Sequence, residues 1–451
     1  MAKRSKTKLV STLLAATLIL AACGGSSSAP SDNSSNGNTG NAPGGTQTTQ
    51  QQSGSTQPVK IEFWFSVGGN ARKWIEEASQ RFNSEQNEVQ VDAIYQGDYY
   101  TNHQKVATAI SAGAAPAMTM IEVASIPFFA DNGVLADINT LASPEDLARY
   151  LPGLMKETQW DGQTISIPFN RSVPILYLNK TILEQEGLDP EGPKTWEELR
   201  QYAEKLVKRA PDGTVERWGF LTPVDQWFFE AMLYQAGGRV YSDDGKKVVV
   251  NEEPGQQALQ FWVDLIDDGL MEMPQGEKYN AWDVTTNALT TGKAAMIYST
   301  TGRLKSHVNG GAENGYEITT AFLPAGPKGY ATPTGGANIA ILNVVPREQQ
   351  EAAWKFLKWL TSDENAASFA QATGYIPITQ GAVDMMADYF KEFPQARTAV
   401  EFLQYAQSRP QAPSYNEAQE ILVKYLQKAV LKEATVKQAL DDAAALMQSA
   451  M

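Results

Sequence analysis

Cysteine and histidine are almost absent from this chain of 451 residues, which has one cysteine, Cys23, and two histidines, His103 and His307. A single cysteine excludes an intrachain disulfide and any cysteine-based metal or thiol centre. The histidines lie far apart, with no HExxH or similar spacing. His103 falls on a predicted helix and His307 in a loop-like KSHVNGG, and each reads as an ordinary surface or core residue. Also missing are a GxxxxGKS/T phosphate loop, a GxGxxG turn and a GxSxG nucleophile elbow, so nucleotide binding and serine-hydrolase chemistry have no carrier. SDDGKK at 242–247 lacks the carboxylate spacing and final glutamate of a calcium loop and reads as a turn. Adjacent acids such as Asp267 and Asp268 leave a glycan-processing enzyme as a small residual alternative. No metal, cofactor or catalytic residue is expected.

The apolar run near the start, Leu9 to Ala22, has 14 residues, short of the roughly 18 that a spanning helix needs. It follows Lys3, Arg4, Lys6 and Lys8 and ends in Leu20-Ala21-Ala22-Cys23. Residues 1–22 therefore read as a signal peptide. The ending resembles the lipobox of bacterial lipoproteins, which implies cleavage before Cys23 and lipid on its sulfur. Residues 24–58 contain no aromatic side chain and one charge, Asp32. Such a segment cannot bury enough apolar surface to offset its ordering entropy. Residues 23–58 are thus expected to be a lipidated tether with a mean reach of about 30 to 35 Å. The location implied is extracytoplasmic, anchored to the cell membrane by lipid alone, in a periplasm or on the outer cell surface.

Basic residues are also scarce. The chain carries 37 Lys and Arg against 51 Asp and Glu; losing the leader's four leaves 33 against 51, a net charge of −18. So acidic a body argues against nucleic acid or anionic lipid as a partner.

What is present from Val59 onward is an alternation of strand and helix patterns, which favours an α/β architecture with mainly parallel sheets. VKIEFWF puts Ile61, Phe63 and Phe65 on one face. Ala71 to Phe82 reads as a helix through Trp74, Ala78 and Phe82, and EVQVDAIY alternates again. A helix carrying Val106, Ala107 and Ile110 stops at Gly113, with Pro116 beyond. Thr195 to Glu198 and Thr435 to Gln438 have capping-box spacing. Ala353, Phe356, Leu357 and Leu360 fall on one helical face. The final 60 or so residues read as mainly helical, and there is no internal repeat.

Several segments mix aromatic and small polar residues: Trp64-Phe65-Ser66, Tyr99-Tyr100, Trp227-Phe228-Phe229 and Gly374-Tyr375. Polyols are held by this mixture, aromatic faces covering C–H surface while hydroxyls, amides and carboxylates meet the OH groups. Singly, each aromatic is core material. Their recurrence near predicted strand ends points to a ligand cleft, since ligands of open α/β sheets sit beyond the carboxyl ends of strands.

The segments EFWFSVGG, RFNSEQ, YQGDYYTN, AGAAPA, PFNRSVPILYLNK, GLDPEGPKTWEEL, GKAAMIYSTTG, TGGAN, TGYIPIT and KQALDDA together resemble the extracytoplasmic solute-binding proteins of ABC importers. The likeness is to the branch of the maltodextrin-binding proteins, most nearly the sn-glycerol-3-phosphate binders. It implies a two-lobed periplasmic-binding-protein fold of type II, each lobe a mainly parallel sheet flanked by helices, joined by hinge crossovers. It implies lobe 1 over 59–171 plus 300–335 and lobe 2 over 172–299 plus 336–451, with crossings near 170–172, 299–301 and 335–337. Ligand contacts are implied at Tyr99, Glu122, Ser172, Trp227, Thr300, Gly336 and Tyr375, with Trp64 among the aromatic candidates. A companion tryptophan of the family falls at Val224 and a family arginine at Gln419, so one stacking wall and one charge are missing. Arg171 and Arg303 are candidates to replace that charge on an anionic group. The expected function is capture of glycerol 3-phosphate or a glycerophosphodiester by a monomer that delivers it to the permease subunits; a neutral oligosaccharide stays open as the alternative.

Overall fold

The computed structural model describes residues 57–274 and 280–451; the leader, Cys23 and most of the tether lie outside the described residues. Two sheets organise the body. In the first, the spatial order is Val89–Tyr95, Val59–Phe65, Met118–Glu122, Gly335–Ile341, Ile167–Ser172. Its first three strands are parallel, and Gly335–Ile341 runs antiparallel to both of its neighbours. The second sheet runs Met271–Glu272, Val215–Leu221, Ala294–Thr300, Pro174–Asn179, Ile318–Ala321. Here Pro174–Asn179 is the strand antiparallel to both neighbours.

The apolar patterning explains what covers each sheet. Ile61, Phe63 and Phe65 are buried while Lys60 and Glu62 face solvent. Against them lies the helix Gly69–Glu85, burying Trp74, Ala78 and Phe82. Phe356 of the helix Arg347–Leu360 meets both Phe63 and Phe82, with ring centroids 6.1 and 5.0 Å apart. Each such ring removed from water is worth about 1.5 to 3 kcal/mol. His103 lies on the helix Tyr99–Ser111, as the spacing predicts. His307 does not lie in a loop: it sits inside the helix Leu304–Glu313, fully buried. Gly311, at the end of KSHVNGG, is needed there for close packing, because a Cβ would lie 2.4 Å from the Ile318 side chain.

The hydrogen-bond ladders correct the expected division into lobes. The segment 300–335 stays with the second lobe at least as far as Ile318–Ala321, which pairs with Pro174–Asn179. The strand Gly335–Ile341 belongs to the first sheet, and Ala353, Phe356, Phe369 and Met386 join its core. Only the later part of 336–451 packs in the second core, through Phe402, Leu422, Leu440 and Met447. The chain therefore crosses at 172–174, between Ala321 and Gly335, and again after Met386; residues 299–301 end a strand of the second sheet and are not a crossing.

Ile167–Ser172 and Pro174–Asn179 are buried at every position. The polar triplet within this run is therefore satisfied internally in large part. Asn170 Nδ2 donates to the Tyr99 hydroxyl at 2.6 Å. Arg171 is 0% exposed and forms an ion pair with Glu157, itself 1% exposed. The Arg171 guanidinium also donates to Gly335 O at 3.1 Å and Asn338 Oδ1 at 3.2 Å. It does not reach the ligand cleft, so its expected role on an anionic group is replaced by one of fastening the hinge.

Two outcomes follow. Arg171→Met leaves Glu157 buried without its cation and should remove roughly 3 to 5 kcal/mol of unfolding free energy, read from urea titration. Burial lowers His307 from its ordinary 6.5 to about 3. The unfolded chain then takes the proton first, so this contribution is complete above pH 6.5 and falls by about 1.4 kcal/mol per unit as pH drops toward 3. His307→Phe should remove this loss from the dependence of the urea midpoint on pH between 6.5 and 4; His103, lowered by burial to about 4, acts in the same sense as His307, and Glu230, raised to about 7, in the opposite sense.

Candidate ligand cleft

Between the lobes lies a cleft of about 1160 Å³. It opens where parallel strands end: Ser66 follows Val59–Phe65, Glu122 closes Met118–Glu122, and Thr300 closes Ala294–Thr300. This is the position that α/β sheets reserve for ligands. Tyr99 and Tyr100 open a helix capped by Asp98, whose carboxylate accepts from Thr101 N at 2.7 Å.

Of the residues expected at the site, the cleft brings together Tyr99, Glu122, Ser172, Trp227, Thr300, Arg303, Gly336 and Tyr375. Trp64 is not among them. Its indole donates to Glu62 at 2.8 Å and packs against a separate small core around Val106 and Ile121, because strand alternation turns it away from Phe63 and Phe65.

The floor is built by glycine. Gly336 has φ +82°, and a Cβ on it would lie 1.9 Å from Asn170 O. A Cβ on Gly335 would fall 2.4 Å from the Trp227 ring. The hinge strand can therefore pass directly beneath the indole, whose Nε1 donates to Thr334 O at 3.0 Å. Tyr375 stacks flat on Phe369, centroids 5.5 Å apart at 4°.

Val224, where the resemblance implies a second tryptophan, lines the cleft. A second indole nevertheless faces it. Trp282, from the helix Asn280–Thr290, lies nearly parallel to Trp227 at 6.2 Å and 20°. One carboxylate links the two residues: Asp225 Oδ1 accepts from the Trp227 backbone N–H at 2.8 Å and Oδ2 from the Trp282 indole Nε1 at 3.2 Å. Burial raises the Asp225 carboxyl above its usual range.

The cleft's described cations are Arg303 and Arg409. Arg303 pairs with Asp283 at 2.6 Å and donates to Thr286 Oγ1 at 3.1 Å. Arg409, which sequence analysis did not single out, donates to Glu230 at 3.0 and 2.9 Å and to Glu122 at 3.0 Å. Burial pushes Glu122 upward, while the adjacent Arg409 pulls it down. For Glu230 burial also dominates and raises its carboxyl to about 7. Asp98, Asp225 and Glu420 line the same cleft. The environment therefore offers acceptors and aromatic planes, with both guanidinium groups already engaged.

Trp282 was missed because a single tryptophan at helical spacing reads as core. Arg409 was missed because its partners lie 179 and 287 positions away. The one local hint was an arginine beside Pro410 in a stretch, 402–416, that carries no other charge.

The model of a family described as bacterial extracellular solute-binding protein matches residues 77–398. The sn-glycerol-3-phosphate-binding periplasmic protein UgpB of Escherichia coli K12 is 28% identical over 368 residues, covering 77% of this chain and 81% of that protein. Among solved structures, UgpB from Mycobacterium tuberculosis in complex with glycerophosphocholine superposes with a TM-score of 0.76 at 24% identity, over 88% of this chain and 98% of that one. Maltose-bound MalE3 of T. maritima gives 0.77 at 24% identity, over 87% and 100%. The fold is thus the two-lobed, type II solute-binding fold.

Replacing Gly336 tests the floor independently of any ligand. Gly336→Ala must shift the Asn170 peptide and strain a positive φ, and should lower Tm by several degrees in differential scanning calorimetry.

Proposed function

The chain belongs to the bacterial extracellular solute-binding protein family, and on that premise we propose that it captures a neutral oligosaccharide by closure of the cleft and hands it to an ABC permease. The observation that carries this ligand class is the pairing of both described cleft arginines with protein carboxylates. A phosphomonoester needs charge-assisted donors, and arginine forks suit it best. Here such a ligand would compete with Asp283, Glu122 and Glu230 for them, amid Asp98, Asp225 and Glu420. Sugar rings suit the same walls without that competition. Trp227 and Trp282 offer flat apolar surface, and Glu122, Ser172, Thr300 and Tyr375 offer partners for hydroxyls. The cleft volume, at the upper end of what ligand sites show, fits more than one sugar ring.

A glycerophosphodiester is the second reading. It is favoured by the likeness to UgpB over 77% of the chain, and it would draw on Arg303 or Arg409 for its single charge. Glycerol 3-phosphate, with more charge and less apolar surface, suits the walls least. In both readings the protein works as a monomer held near its permease by lipid on Cys23 and the tether, and it performs no chemistry on the ligand.

Isothermal titration of the purified protein with maltose, trehalose, glycerol 3-phosphate and glycerophosphocholine separates these. Binding of a neutral disaccharide at least about 100-fold tighter than glycerol 3-phosphate is expected. Trp282→Ala should weaken it roughly 5- to 30-fold, in line with loss of one aromatic stacking contact and its buried area. Binding confined to the phosphorylated pair would sink the neutral-sugar assignment.

A further inference from the structure

Asn170 stands just ahead of the first crossing, in the strand Ile167–Ser172, and is 0% exposed. It is not among the residues that line the cleft. The ladder to Gly335–Ile341 is irregular at this point: Ala337 lies opposite Asn170, yet the next residue, Asn338, lies opposite Pro168, so Phe169 is passed over. Such a bulge breaks the strict alternation of the strand and re-aims a side chain, which is why bulges recur beside functional sites.

The side chain re-aimed here is the Asn170 amide. Its nitrogen donates to the Tyr99 hydroxyl at 2.6 Å, and the Tyr375 hydroxyl is hydrogen-bonded to the same amide and to Tyr99. Both tyrosines line the cleft, and they come from separate elements: Tyr99 opens the helix Tyr99–Ser111, while Tyr375 follows the helix Asp363–Thr373. The backbone repeats the tie, since Ile376 N donates to Arg171 O at 2.9 Å. The Tyr375 ring also lies against the second lobe, where a Cβ on Gly302 would fall 2.6 Å from it.

The amide is kept at a cost to folding. Its oxygen is buried and has no hydrogen-bonding partner among the described residues, so it has given up water and gained nothing in return. A leucine, close to it in shape, would fill the position without that loss. Packing alone therefore does not account for an asparagine here; the work of its nitrogen end does.

We propose that Asn170 is a positioning residue that sets the Tyr99 and Tyr375 hydroxyls as one ligand-facing pair and ties that pair to the first crossing. The amide nitrogen makes the Tyr99 oxygen an acceptor and so fixes which way its own O–H can turn. Ordering the two hydroxyls before the ligand arrives spares the ligand that entropic cost. Because the Tyr375 ring meets Gly302, the ordered pair is at the same time part of the contact between the lobes. The inference rests on the solute-binding function proposed above and deepens it.

The test uses the purified protein with Asn170→Leu and, should the leucine variant not fold, Asn170→Ala. Each is made in the parent and in a Tyr99→Phe, Tyr375→Phe background. Titrations use maltose, trehalose and glycerophosphocholine, and the probe that the parent binds most tightly is followed. In the parent, loss of the amide should weaken binding about 5- to 20-fold. In the background without hydroxyls the same change should cost less than about twofold, because nothing is left to position. A merely structural residue would lower affinity equally in both backgrounds, and that result would overturn the proposal, as would parental affinity in the single variant. A second readout needs no ligand. Tyrosine carrying an isotope label at its hydroxyl-bearing ring carbon gives Tyr99 and Tyr375 resonances, identified by their loss in the Phe variants, and both should shift when the amide is removed. If the parent binds none of the three probes, the ligand classes proposed above fail; unmoved resonances then reject Asn170 as well, while shifted ones retain it as the anchor of the tyrosine pair.

Discussion

Glu157 is the point at which the lobes are tied together. Its carboxylate takes the Arg171 guanidinium from the first crossing, the Thr334 hydroxyl at 2.6 Å from the second, and the Arg409 backbone amide at 2.9 Å from the segment that follows the third. All of this is sealed from water, where an ion pair is costly to form from solvated charges and more costly to break on one side only. Such a centre fixes the crossings relative to one another. Motion is then confined to the backbone on either side of it, which is how a hinge differs from a loose linker.

Above this centre, Arg409 reaches across the cleft. It is held by Glu230 in the second lobe and meets Glu122 at the end of a first-lobe strand. Ser125 and Asn416 add a second contact across the gap, at 2.8 Å. The arrangement of the lobes thus has attractions of its own, made across the cleft by protein groups alone. A ligand shifts an equilibrium between two forms only by the difference in its affinity for them, and such contacts add to or subtract from that difference.

Much of this architecture was legible in the sequence because it rests on local periodicity. The alternation of Ile61, Phe63 and Phe65, the face formed by Ala353, Phe356, Leu357 and Leu360, and the Gly113 stop are each dictated by neighbours within a few residues. Eight of the ten ligand positions named from the sequence line one cleft; Glu122, Ser172, Thr300 and Gly336 do so at strand ends or on the hinge strands, and Tyr99 and Trp227 in the first turns of helices. What could not be read is what depends on pairing at a distance. Arg171 looks available for a ligand until Glu157 is seen beside it. Lobe membership of 300–386 follows from which strand Gly335–Ile341 hydrogen-bonds, and no periodicity encodes that. The indole of Trp282 reaches the wall beside Val224 from a helix nearly 60 residues away, which no local pattern encodes.

The near-parallel pairing of the Trp227 and Trp282 indoles has an optical consequence. Trp227 lies over the hinge glycine and Trp282 stacks beside it on the same wall, while the other described tryptophans lie away from this wall. On the solute-binding function proposed above, a ligand seated against these two rings would change their contact with water. Their emission colour would then follow occupancy, which is written into the protein's own ultraviolet fluorescence without any attached dye.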